Sequence, residues 1–211
     1  PEALSALSKS FPIYFIIVAT SIGVTVAGTS LIGNSIGEKN EKKTLNYFTH
    51  IIYYSIIISI LITSIGLFLS KKVFILMGTT DEVLSLGLQY TNIIFSGSIL
   101  FILVVAMNSF LHAEGDTKTY RNVLILSFLL NIVLNPILIF GLFFFPELGI
   151  KGIGVSTIVS QFVGFIIILL KLCKNKRIKQ ITKDLLIPRF EYFVNIFFQS
   201  MPIVISICAY S

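Results

Sequence analysis

The sequence predicts an all-α polytopic membrane protein: an antiparallel transmembrane helix bundle with five complete spans plus the start of a sixth. Composition is the first reason. Hydrophobic residues make up 55% of the 211 positions and charged ones only 12%, and mean hydropathy is +0.92. Soluble domains carry a charged fraction of about 25%, so this chain lacks the polar surface to face water all round. The second reason is run length, because each complete apolar run exceeds the ~20 residues a helix needs to cross hydrocarbon. The third is that all ten acidic residues lie in connections or at span edges, never near the middle of a complete span. Lipid leaves no backbone group free to stay unpaired, so the runs are expected as helices. A β-barrel would show short alternating segments, and none is visible.

The first run, Phe11–Ile36, is crowded with small residues in "ATSIGVTVAGTSLIGNSIG" (19–37). Gly33 and Gly37 make a GxxxG pair, with Gly23 and Ala27 as a second small pair, and both predict close helix packing. The alternative use of such a face is as a cavity wall that slides during transport. Leu45–Leu69 is the second run, and "SKKVFILMGTTDEVLSLG" (70–87) follows it. Its short apolar piece is expected to dip into the outer interface before the third run, Leu86–Ala113. Val123–Phe145 and Ile150–Leu172 are the fourth and fifth, and Phe193 opens the sixth. Connections 37–44, 114–121 and 145–152 are short, as between antiparallel neighbours. The long one, "KLCKNKRIKQITKDLLIPRFE" (171–191), is basic and partly amphipathic, and is expected to link two halves through a surface-lying helix.

Basic residues fix the orientation. Lys39, Lys42, Lys43, Lys118, Arg121, Lys171, Lys174, Lys176, Arg177, Lys179, Lys183 and Arg189 fall on one side. Lys9, Lys71, Lys72 and Lys151 fall on the other. The positive-inside rule puts connections 37–44, 114–121 and 171–191 in the cytoplasm of a multi-pass cell-membrane protein. The net charge of +6 then reflects topology and anionic lipid, not nucleic acid. Cys173 and Cys208 have no ligand-like spacing, and His50 and His112 sit at helix ends where caps or interface contacts account for them. No cofactor is expected. The chain starts without methionine and stops inside an apolar run, so it is expected to be a piece of a larger transporter-sized protein.

"NIVLNPILIFG" (131–141) is the polar anomaly of the fourth run. Asn131 and Asn135 lie one helical turn apart on one face. Pro136 lacks an N–H, which frees the carbonyl of Ile132. Two amide oxygens and one backbone oxygen thus suit a dehydrated monovalent cation, normally with a carboxylate to balance charge. The next span adds Ser156, Thr157, Ser160 and Gln161. Amides that only glue helices together, at about 0.6–2 kcal/mol each, explain the same residues, and both readings stand open.

Three stretches in order, "LHAEGDTKTYRN" (111–122), "NIVLNPILIFG" (131–141) and "LGIKGIGVSTIVSQ" (148–161), resemble the multidrug and toxic compound extrusion (MATE) transporters. The "GNSIGEKNEKKT" turn adds a fourth similarity. The resemblance implies two lobes of six helices each. Residues 1–172 would be a partial first lobe lacking its first helix, 173–191 the cytoplasmic linker, and 192–211 the truncated first helix of the second lobe. It also implies a secondary antiporter, not an enzyme, that exports amphipathic or cationic compounds by alternating access, as a monomer in the lipid bilayer. The coupling ion would be Na⁺ or H⁺. By resemblance Asn131, Asn135 and Thr157 fall on the family's first-lobe cation site. Asn135 stands where the family has an aspartate, so it cannot carry a proton. Two rival functions remain: a flippase of lipid-linked precursors on the same architecture, and an integral membrane enzyme. A flippase would carry cationic residues in its cavity, and an enzyme would cluster acids, His or Cys at one depth. Neither pattern is visible.

Overall fold

A computed structural model describes residues 2–209. Among the described residues seven α-helices make up most of the chain: α1 (Glu2–Gly37), α2 (Glu41–Leu76), α3 (Asp81–Ser96), α4 (Ser98–Ala113), α5 (Lys118–Phe140), α6 (Ile150–Cys173) and α7 (Phe190–Ala209). Five of them, α1, α2, α5, α6 and α7, are long and apolar enough to cross a membrane. Helices α3 and α4 pass the same length and hydropathy test only as a pair, bent by 41° at their junction, and add a sixth if the pair is one span. The third run is therefore broken, not one straight helix. Gly97 lies at the break, and a Cβ there would stand 2.6 Å from Ile158 of α6. The Thr63 hydroxyl donates to the Phe95 carbonyl at 2.9 Å and meets the Ser98 hydroxyl at 2.6 Å. Such hydroxyls re-satisfy backbone groups that a broken transmembrane helix releases.

The core lies where α1, α2 and α4 meet, with Phe48 and Phe110 rings 4.9 Å apart and Ile17, Ile32, Ile51 and Ile102 fully buried. Helix α1 also packs against α3 and α7. Its close approaches are not at the GxxxG pair: a Cβ at Gly33 or Gly37 would meet nothing within 4 Å. They are at Gly28, against the side chain of Ser109, and at Gly23, where a Cβ would stand 3.0 Å from the Ser200 carbonyl. Gly33 and Gly37 lie in the last turns of α1 on a face with open space beside it, whereas Ile32 and Ser35 at the same level are buried.

Helix α2 runs straight through Lys71 and Lys72 to Leu76, so the apolar piece expected at the outer interface is the end of that helix. A turn with Gly78 at φ +63 then leads to α3. Helix α5 ends earlier than the fourth apolar run, at Phe140, because Gly141 takes the left-handed conformation (φ 62). No surface-lying α-helix forms in the long basic connection among the described residues, only single 3₁₀ turns at Ile178–Gln180 and Lys183–Leu186. Its apolar residues Ile178, Ile181 and Leu185 pack onto the core. Its basic ones reach acids: Arg177 pairs with Glu41 at 3.3 Å and Glu114 at 3.5 Å. Lys171, at the end of α6, pairs with Asp116 at 3.2 Å.

Candidate functional site

Two small residues bring α5 and α6 together. A Cβ on Gly152 would stand 2.7 Å from the Leu138 backbone carbon, and one on Gly164 would stand 2.8 Å from a Val123 methyl. Close backbones put the turn Asn131–Asn135 opposite the turn Ser156–Ser160. Asn131 Nδ2 donates to the Ser127 carbonyl at 2.9 Å and to Ser160 Oγ at 3.0 Å. Its Oδ1 faces Ser156 Oγ at 3.3 Å, and Asn135 Oδ1 accepts a short hydrogen bond from the same hydroxyl. Ser156 Oγ also lies 2.9 Å from the Ile153 carbonyl.

The proton count of this cluster decides its chemistry. Asn131 Oδ1, Asn135 Oδ1 and Ile153 O all compete for the one hydrogen that a serine hydroxyl owns. Ile153 O is also supplied by the Thr157 hydroxyl, so three side-chain oxygens, those of Asn131, Asn135 and Ser156, converge with one hydroxyl hydrogen between them. An oxygen-rich, proton-poor cluster attracts a hard cation. The backbone oxygen that hydrogen bonding brings into it belongs to Ile153, not to Ile132. Thr157 lies one position off the facing ridge, where its hydroxyl donates to Ile153 O at 2.8 Å. Among the described residues no hydrogen bond joins Thr157 to either asparagine. Ser156, the residue before Thr157, is the one whose hydroxyl meets both asparagines. The i, i+4 match of Ser156 and Ser160 to Asn131 and Asn135 was the signal in the sequence for it.

The 19–37 stretch of α1, for which the sequence offered a cavity wall as one use, does contribute to a cavity through Ser21 and Thr25, while the other walls were not foreseen. A hollow of about 330 Å³ is bounded by α1, α4, α5 and α6, with Tyr14, Ser21, Thr25, Phe101, Tyr120 and Gln161 on its wall. Tyr14 and Phe101 meet edge to face, 5.9 Å between centroids. No Lys, Arg, Asp or Glu lines it. Aromatic rings, hydroxyls and one amide give the cavity an uncharged wall of mixed apolar and polar character. No group of three or more His, Cys, Asp or Glu side chains that would hold a metal ion occurs among the described residues.

Residues 1–137 match the MatE family model. The chain belongs to the MatE family. Among its relatives, the probable multidrug resistance protein YoeA of Bacillus subtilis is 32% identical over 86% of this chain and 39% of its own length. The probable multidrug resistance protein NorM of Thermotoga maritima is 29% identical, over 90% of this chain and 40% of that protein. A Shewanella oneidensis relative, 30% identical over 77% of this chain and 36% of its own, is named FAD transporter. An inward-facing multidrug resistance MATE transporter structure superposes with TM-score 0.89 at 28% identity, over 99% of this chain and 47% of that one. An outward-facing one gives 0.88 at 28% identity, over 98% and 45%. This MATE chain thus spans less than half the length of those proteins. Its relatives are named as transport and resistance proteins, so the membrane-enzyme reading falls.

Proposed function

We propose that this MATE chain is the larger part of one lobe of a cation-coupled antiporter, which exports amphipathic or cationic compounds by alternating access as a monomer. Residues 1–172 are that lobe, 173–191 the cytoplasmic linker, and 192–211 the entry to the second lobe. The carrying observation is the α5–α6 cluster, where the side-chain oxygens of Asn131, Asn135 and Ser156 share one hydroxyl hydrogen and no carboxylate takes part in their hydrogen bonds. Neutral oxygens bind Na⁺ when a negative charge lies close by, but they cannot accept and release a proton. We therefore assign Na⁺ to this cluster, held by Asn131, Asn135 and Ser156, with Thr157 beside it. Any H⁺ coupling belongs to groups elsewhere in the protein.

The uncharged aromatic cavity supports an export substrate whose recognition is apolar and steric. It weighs against a flippase, whose pyrophosphate cargo would need Lys or Arg in the wall. Nearly equal fits to inward- and outward-facing relatives support a lobe that rocks as a rigid body.

Dye efflux from proteoliposomes under an imposed Na⁺ or H⁺ gradient tests the reading, using the protein as the cell makes it beside Asn131→Ala and Asn135→Ala. Na⁺-driven efflux that weakens in both folded variants is the expected result. Gradient-driven efflux indifferent to both would leave the asparagines as helix glue. Failure of every gradient to move dye would put the flippase ahead.

A further inference from the structure

A second polar hollow, of about 200 Å³, lies between the first turns of α2 and the start of α7, with Lys42, Asn46, Tyr47, Arg189, Glu191 and Tyr192 on its wall. We propose that it binds a phosphodiester whose free arm carries a hydrogen-bond donor, the chemistry of a glycerol or ethanolamine phospholipid headgroup. The inference is independent of the coupling ion and of the exported compound.

Asn46 is the decisive residue. It is 1% exposed, and its Nδ2 donates to the Lys42 carbonyl at 3.0 Å. Its Oδ1 is buried without a hydrogen-bond partner. A buried amide oxygen left unpaired is costly, and Asn46 lines the hollow, so a ligand there that brings a donor to the Asn46 side chain would relieve that cost. Cations stand next to it. Lys43 is engaged by Glu38 at 2.8 Å, but Lys42 and Arg189 have no ion pair among the described residues. These two supply the charge-assisted donors that a phosphate oxygen takes. Glu191 adds a carboxylate to the same wall. It would repel a bare phosphate, yet it accepts from a hydroxyl or an ammonium. Donors and acceptors together match a ligand that has both a phosphate and a donor beyond it.

The walls are held in place before anything binds. The Arg189 backbone N–H donates to His50 Nε2 at 2.8 Å. That leaves the ring hydrogen on Nδ1, which lies 2.7 Å from the Asn46 carbonyl. The same ring stacks on Tyr192 at 4.7 Å, and Tyr192 meets Tyr47 edge to face at 4.8 Å. Asn195 Nδ2 donates to the Tyr47 hydroxyl at 3.3 Å. The amino end of α2 lies on the cytoplasmic side by the distribution of Lys and Arg, where anionic headgroups and interfacial tyrosines gather.

Native mass spectrometry of the delipidated protein tests the proposal with phosphatidylglycerol, phosphatidylethanolamine and phosphatidylcholine. Choline has a phosphate but no donor. The glycerol and ethanolamine lipids should bind about tenfold tighter than the choline lipid, the effect of a charge-assisted or buried hydrogen bond. Asn46→Leu should abolish that preference. Arg189→Ala retains the backbone N–H that His50 accepts, and should weaken both favoured lipids by about tenfold while the protein still folds. Soluble glycerophosphoglycerol separates the sources. If it competes at the lipid's own concentration, the site reads a free phosphodiester; if it does not, the ligand is membrane lipid. Equal binding of all three lipids, or no change in the folded Arg189→Ala variant, would overturn the proposal.

Discussion

Ser156 shows how much one hydroxyl can hold. Asn131 and Asn135 both aim their oxygens at it, and in a membrane such cross-helix bonds contribute about 0.6–2 kcal/mol each. Ser156→Ala should therefore lower stability in detergent by about 1–2 kcal/mol, whereas Thr157→Ala, which loses a bond inside its own helix, should cost under about 0.5 kcal/mol. Equal losses in the two thermal melts would return Thr157 to the centre of the site. Asn135→Asp supplies the missing carboxylate. It should make Na⁺-induced thermal stabilisation stronger and dependent on pH, vanishing as the new acid is protonated. A flat pH response would show that no cation sits within reach of position 135.

At the scale of elements, the start of α5 depends on Asp116, which lies just ahead of it. Its Oδ1 accepts the Thr119 N–H at 3.0 Å and its Oδ2 the Thr119 hydroxyl at 2.7 Å. The Thr119 hydroxyl and N–H, followed by Lys171, lower its pKa to about 2. An unfolded aspartate titrates near 3.9, so the folded state gains stability above about pH 4 and loses it as pH falls towards about 2. Asp116→Ala should cost about 0.5–2 kcal/mol at neutral pH, as lost caps do, and should flatten stability across that acid window. Unfolding curves between those limits check it. Packing between elements is just as local. At Gly152 a methyl would strike the backbone of Leu138, which cannot rotate away, so Gly152→Ala should destabilise by about 1–3 kcal/mol and loosen the asparagine cluster. A melt unchanged by that methyl would mean α5 and α6 are free to separate.

The whole molecule adds orientation. Cys173 closes α6 beside the basic connection, is exposed, and lies on the side that the Lys and Arg distribution makes cytoplasmic. In a Cys208→Ser background, an impermeant maleimide should label Cys173 only after cells are permeabilised. Labelling of intact cells would invert the topology. The linker that follows is tied down by Arg177, shared between Glu41 and Glu114. These exposed pairs contribute little stability singly, but together they fix the path by which α7 returns to α1 and α2.

What the sequence determined by itself was what short-range physics controls. Apolar run length decides that a segment crosses lipid, Lys and Arg counts decide which way, and helical spacing puts Asn131 and Asn135 on one face. The family, too, was legible in the order of its turns. Only the tertiary structure decided which neighbours those faces meet. Gly23 and Gly28, not Gly33 and Gly37, are the crossing points of α1, because a small residue permits a close approach but does not choose the helix that makes it. Ser156, not Thr157, meets the asparagines, because rotation of α6 about its axis is set by Gly152 and Gly164 against α5. The basic connection packs as turns because Ile178, Ile181 and Leu185 reach the core and Arg177 finds Glu41 and Glu114, residues far away in sequence. The cavity and the headgroup pocket each draw their walls from several separate helices, so no single stretch of sequence carried either one.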